Sequence, residues 1–125
     1  MSPGHGDAIS FSHPLNAGQM GPRGNIVASR LAKEADLILA LGTRLGFNST
    51  FYSYDNINVN ASIIQVELEP TALGRYFPVS LGIWGDAKQI STQICDFVDK
   101  VRFTSEVNNW TKNFQDERKV YLINR

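Results

Sequence analysis

The chain has 125 residues, 42% of them hydrophobic, with 12 basic and 12 acidic side chains and one cysteine. That length supports one domain with an apolar core and leaves little room for a second. A net charge of zero argues against a general binder of nucleic acid or anionic membranes, because such proteins work through a cationic excess.

The charge is unevenly spread: residues 61–99 carry five acids and two bases, and residues 100–125 carry six bases and three acids. A basic segment of that size reads as a solvated helix face. No apolar run approaches the roughly 20 residues that span a bilayer. The opening Met-Ser-Pro-Gly-His-Gly-Asp lacks the basic and apolar regions of a secretory signal. The lone Cys95 cannot form an internal disulfide, which fits a reducing, cytoplasmic setting.

In chain order, residues 1–24 are a glycine-rich lead-in, holding five of the ten glycines and three of the five prolines without a sustained apolar period. A helix is expected from the Asn25 cap to about Lys33 or Ala35, with Ile26, Val27, Leu31 and Ala35 facing inward. Leu37–Gly42 is an unbroken apolar run ended by glycine. Ser62–Leu68 and Val79–Trp84 are two more, closed by Pro70 and Gly85. Such runs fit strands of a parallel sheet covered on both faces. Between the last two, Thr71–Tyr76 suits a short helix that Pro78 helps to end.

The strongest helical pattern follows Asp86. Ile90, Ile94, Phe97, Val98 and Val101 fall on one stripe, and Asp86 with Gln89 forms a capping-box-like start. Beyond Arg102, residues 109–121 are weakly helical around Trp110, Phe114 and Arg118. The pattern stops at Arg125 without a domain-ending signal, as expected of a piece of a longer chain. Strand–helix alternation implies an α/β fold, a partial Rossmann-like parallel sheet with flanking helices. With three strands where five or six are usual, it reads as the second half of a doubly wound domain.

In open α/β sheets ligands bind beyond the carboxyl ends of the strands. Those ends carry Gly42, Thr43 and Arg44; then Glu67 and Leu68; then Gly85, Asp86 and Ala87. Glycine admits a close ligand, arginine can grip a phosphate in a bidentate fashion, and an acid suits ribose hydroxyls. The residues outline a nucleotide-shaped crevice. A structural reading stands beside it, with Gly42 and Gly85 as turn glycines, Arg44 as a surface ion-pair partner and Asp86 as a helix cap. His5 and His13 lack the further ligands a metal site needs. Gly85-Asp86 and Asn108-Asn109 depart from a magnesium–diphosphate signature at Ala87 and in spacing. No nucleophile elbow, P-loop or dinucleotide fingerprint is present, and no residue is assigned a catalytic role.

With these landmarks, the chain resembles the central domain of thiamine-diphosphate-dependent enzymes of the acetolactate synthase type. The matching stretches are Ser12–Gly18, Gly21-Pro22-Arg23-Gly24, Ala35–Arg44, Ile63–Pro70 and Gly82–Lys88. The wording Val-Ser-Leu-Gly-Ile followed by Gly-Asp-Ala-Lys resembles the sulfoacetaldehyde acetyltransferase branch. The resemblance implies a partial central domain over residues 25–102 and, over 103–125, a linker or helix toward a C-terminal domain.

It further implies that thiamine diphosphate and magnesium are bound by N- and C-terminal domains outside this chain. The parent would be a homo-oligomeric carboligase or acyltransferase, and this chain alone an inactive scaffold. Some members hold FAD or ADP in the central domain, and by position those contacts would fall on the eight strand-end residues named above. FAD-binding members typically show Gly-Met-His-Gly where this chain has Gly-Pro-Arg-Gly, and Asp-Asp-Arg where it has Leu45-Gly46-Phe47-Asn48. FAD, ADP, a CoA-type nucleotide and a crevice filled by side chains all stay open. The alternative to an enzyme fragment is a stand-alone α/β nucleotide-binding module.

Overall fold

The computed structural model describes residues 1–2, 4–98, 102 and 104–123. Its elements are α1 (Ile26–Glu34), β1 (Leu37–Leu41), α2 (Phe47–Thr50), β2 (Ser62–Glu67), a 3-10 turn (Pro70–Ala72), β3 (Leu81–Trp84), α3 (Ala87–Val98) and α4 (Ser105–Ile123). The three strands form one parallel sheet in the order β1-β2-β3. Leu37 to Leu41 face Ser62 to Val66, and Ile64 to Glu67 face Leu81 to Trp84. The expected partial, open α/β sheet with flanking helices is what forms.

Local chemistry explains most boundaries. Asn25 starts α1 by accepting the Val27 N–H at 2.8 Å, and Asp86 starts α3 by accepting the Gln89 N–H at 3.0 Å. Residues 1–2 and 4–25 carry only turns and irregular chain. The buried Asn16 organises part of them: its amide donates to the carbonyls of Ile9 and Ser10, and its oxygen accepts from Gly18. The helix expected over Thr71–Tyr76 is instead a single 3-10 turn. Gly74 breaks it by adopting φ +66°.

The core lies on one face of the sheet, where Ala40 and Ile63 meet Leu45, Ile57 and Phe77, with Ile38 and Val79 at its edge. The expectation of cover on both faces does not hold for β1. On the opposite face Leu37, Leu39 and Leu41 are 56%, 43% and 38% exposed, while Val66 in the middle strand is fully buried and α3 lies against β2. Within α3, Ile90 and Ile94 are half-buried but Phe97, Val98 and Cys95 are exposed. This stripe is therefore not a buried one in the described chain; Val101 lies outside the described residues. Ile26 also points outward, because only the Val27–Ala28 side of α1 is buried.

Helix α4 packs on α1 and the N-terminal segment. Phe114 is buried, Arg30 bridges Glu34 and Glu117, and Arg118 donates to the carbonyls of His13 and Phe11. No helix among the described residues is long and apolar enough to cross a membrane.

Candidate functional site

The chain leaving β1 is held tightly. Gly42 takes φ +62° and donates its N–H to Val66 at 2.8 Å. The Thr43 hydroxyl accepts the Leu45 N–H at 3.3 Å. Leu45 itself is buried at φ +52°, and its carbonyl accepts from the Thr50 hydroxyl at 2.9 Å. This geometry turns the chain over the ends of β1 and β2.

The result is an open depression of about 540 Å³ that brings together Gly42, Thr43, Arg44 and Glu67, with Phe47 and Tyr52 as its aromatic side. Arg44 is exposed and makes no hydrogen bond or ion pair among the described residues. Glu67 turns back on its own strand end: Oε1 accepts the N–H groups of Leu68 and Glu69 at 3.0 and 3.5 Å.

The third strand end is set apart. Gly85 donates to the Glu67 carbonyl at 3.1 Å, and Asp86 caps α3. Ala87 joins Gly42 and Thr43 in a neighbouring groove of about 460 Å³ along β1. Leu68 is exposed, and its carbonyl accepts the Trp84 indole N–H at 2.9 Å. Gly85, Asp86 and Leu68 do not line the depression.

Electrostatics reinforce the second strand end. The Glu69 carboxyl is held below its usual range by the Thr71 N–H and hydroxyl, with smaller contributions from the Arg44 and Arg75 guanidinium groups. Among the described residues no cluster of three or more His, Cys, Asp or Glu side chains is placed to hold a metal ion.

Sequence reading passed over the aromatic wall and the residue behind it. Phe47, Tyr52 and Tyr76 contact one another in series, with ring centroids 5.7 and 4.5 Å apart and ring planes tilted by 54° and 32°. A Tyr76 hydrogen bond is the main reason the Tyr52 phenol is raised above its ordinary pKa. Gln65 is 2% exposed; its Nε2 donates to the Thr43 carbonyl at 3.0 Å and its Oε1 accepts the Gly74 N–H at 2.9 Å. The one available signal was a carboxamide inside the apolar run Ser62–Leu68, since a buried polar group must find partners.

A family profile described as thiamine pyrophosphate enzyme, central domain, matches residues 1–94. Sulfoacetaldehyde acetyltransferase of Roseovarius nubinhibens is 45% identical over 92 residues, which covers 72% of this chain and 15% of that protein. Sulfoacetaldehyde acetyltransferase of Castellaniella defragrans is 37% identical over 106 residues, covering 83% of this chain and 18% of that protein. The acetolactate synthase large subunit of Buchnera aphidicola subsp. Schlechtendalia chinensis is 31% identical over 102 residues, covering 79% and 17%. The chain thus spans less than a fifth of the length of these relatives. Its strand pattern and the match over residues 1–94 together establish that the chain belongs to the central-domain family of thiamine pyrophosphate enzymes.

Proposed function

We propose that the chain is a non-catalytic scaffold segment of a larger thiamine-diphosphate-dependent carboligase or acyltransferase. Its parent would resemble sulfoacetaldehyde acetyltransferase or acetolactate synthase and work in the cytoplasm as a homo-oligomer. As the family match implies, thiamine diphosphate and magnesium would be bound by N- and C-terminal domains outside this chain. This segment would contribute shape and interface.

The strand ends would hold an adenine nucleotide. The observation that carries this is Arg44, without an ion pair among the described residues, standing with Gly42, Thr43 and Glu67 in one depression at the carboxyl ends of parallel strands. Arg44 would take the phosphates, and the glycine leaves room for them. Glu67 would accept from ribose hydroxyls through Oε2. Leu68, Gly85, Asp86 and Ala87 would form the outer rim. ADP, FAD and CoA-type nucleotides share this chemistry; the bound group supplies recognition here and no reaction step.

The test is the melting midpoint of the chain with added ADP, FAD or CoA, because a ligand of the native state must raise it. A rise that disappears in Arg44→Ala supports the crevice, and an equal rise in that variant refutes the assignment. The intact mass of the polypeptide in its source cells tests the larger parent: a mass several times 13.9 kDa supports it, and a mass near that value favours a stand-alone nucleotide-binding module.

A further inference from the structure

The crevice has a second wall. Tyr52 lines the depression beside Arg44 and Glu67 and stacks on Tyr76 with a tilt of 32°. Tyr76 arrives from the β2–β3 connection, 24 residues further along the chain. A Cβ on Gly46 would sit 3.8 Å from its ring, so the β1 loop passes directly beneath it. Phe51 and Tyr52 both take φ near +55° although neither is glycine. Such backbone is disfavoured for residues with a Cβ and persists where the surroundings hold it, often at ligand sites. The two tyrosines nevertheless remain 52% and 36% exposed, and core burial does not account for their placement.

A single buried side chain ties the two walls together. Gln65 rises from the middle of β2, gives a hydrogen bond to the Thr43 carbonyl and takes one from the Gly74 N–H. Thr43 immediately precedes Arg44, and Gly74 immediately precedes Arg75 and Tyr76. A carboxamide is suited to this bridge because it carries a donor and an acceptor on one carbon.

We propose that Tyr52, backed by Tyr76, forms a base-stacking wall of the crevice, selecting a purine nucleotide over a bare phosphate, and that Gln65 is the positioning residue that holds this wall against the Gly42–Arg44 loop. The inference rests on the nucleotide reading above and adds the part of the ligand that Arg44 does not recognise. Tyr52 lines the depression while 52% exposed, and every purine has a flat π surface that can lie against an exposed ring.

The test titrates the 125-residue chain by calorimetry with two probes, ADP and inorganic diphosphate. ADP should bind at least about fivefold more tightly than diphosphate, the low end of what base–aromatic stacking supplies. Tyr52→Ser and Tyr76→Ser should each weaken ADP by a similar factor and leave diphosphate unchanged. Gln65→Met should weaken ADP in protein that circular dichroism shows to be folded.

Gln65→Glu adds a pH signature. A protonated carboxyl can still donate to Thr43 and accept from Gly74, whereas the ionised form cannot donate. ADP affinity of that variant should rise as pH falls, unlike that of the native chain. If ADP and diphosphate bind equally, or the tyrosine variants weaken both alike, the stacking wall is wrong while the anion site stands. If the Gln65 variants lower the melting midpoint but keep native ADP affinity, Gln65 is structural only. If neither probe binds the native chain, the nucleotide reading fails and this inference with it. Gln65 variants that do not fold leave the two exposed tyrosines to decide the stacking claim.

Discussion

The side chain of Gln65, inside β2, donates to the backbone carbonyl of Thr43 at 3.0 Å, so the middle strand dictates where the loop after β1 can go. The same amide fixes Gly74 from the other side. Replacing it with leucine keeps the volume and removes both partners. Two backbone groups are then left short of a hydrogen bond in the interior, at about 1–3 kcal/mol each where no water reaches them. Gln65→Leu should lower unfolding free energy by about 2–4 kcal/mol in a urea titration, with the slope unchanged. A loss below about 1 kcal/mol would mean that water or a shifted loop replaces the bridge.

Gly21 takes φ +103°, and a Cβ added there would lie 2.2 Å from the backbone oxygen of Asn48. Both the backbone angle and the contact exclude alanine, and the obstacle is main chain that cannot rotate away. Gly21→Ala should destabilise the chain by about 2 kcal/mol or more, and should also disturb Phe47 and Asn48 beside the crevice. A fluorescence-monitored melt of the variant checks the first effect, and its ADP titration the second.

The contrast between Asn25 and Leu39 shows what could be read in the sequence. Asn25 before an apolar-periodic stretch signals a helix start through purely local chemistry, and the cap forms as expected. Asp86 with Gln89 behaves likewise. Leu37–Leu41 was legible as a buried-type strand because both its faces are apolar. What covers each face depends on chain that is distant or outside these residues, and Leu39 is left 43% exposed. The Thr71–Tyr76 helix fails because Gly74 adopts a left-handed conformation and gives its N–H to Gln65. At the site, the strand-end positions of Gly42 to Arg44 follow from topology alone. The pairing of Tyr52 with Tyr76 does not, since it requires two loops to meet in space.

Asn25 offers a clean test of local against tertiary control of α1. Its side chain satisfies one free N–H, and a capping Asn→Ala change usually costs about 1 kcal/mol. Asn25 also packs near Gly18, where an added Cβ would come within 3.2 Å of it. Asn25→Ala should therefore lower stability by about 1 kcal/mol and Asn25→Asp by much less, measured by chemical denaturation. Equal losses would show that the Nδ2 amide, which both variants lack, rather than the capping oxygen, is what Asn25 supplies.

Glu69 has a depressed pKa in the folded chain, led by the Thr71 N–H and then the Thr71 hydroxyl. A carboxylate lowered in this way favours the folded state above its unfolded pKa, and that contribution fades as pH falls through the folded value. Its surroundings are solvated, so the effect on stability is small and the titration itself is the sensitive readout. Thr71→Val removes the hydroxyl donor and keeps the N–H. A carboxyl carbon NMR titration should show the Glu69 pKa moving partway up toward the ordinary carboxylate range. An unchanged value would mean that the backbone donor and the arginines account for the whole shift.

The outer edge of β1, which pairs with no strand among the described residues, supplies the last prediction. Asp36 and Gly42 spend their backbone groups on β2, through Ser62 and Val66. Alternation along a parallel ladder then turns the N–H and C=O groups of Leu37, Leu39 and Leu41 outward. Their side chains are the exposed leucines of the uncovered face. An edge that offers both unpaired backbone and apolar side chains is prone to pair with other chains. The isolated 125-residue chain should self-associate, with its weight-average mass in sedimentation equilibrium rising with concentration. Leu39→Lys places a charge at the centre of that edge without entering the core, which lies on the opposite face around Ala40 and Ile63. It should restore a monomer while changing the melting midpoint of dilute protein little. A native chain that stays monomeric across the concentration range would show that β1 is protected, and the N-terminal segment that walls the groove along this strand, through Met1, His5 and Met20, would then be the first place to look.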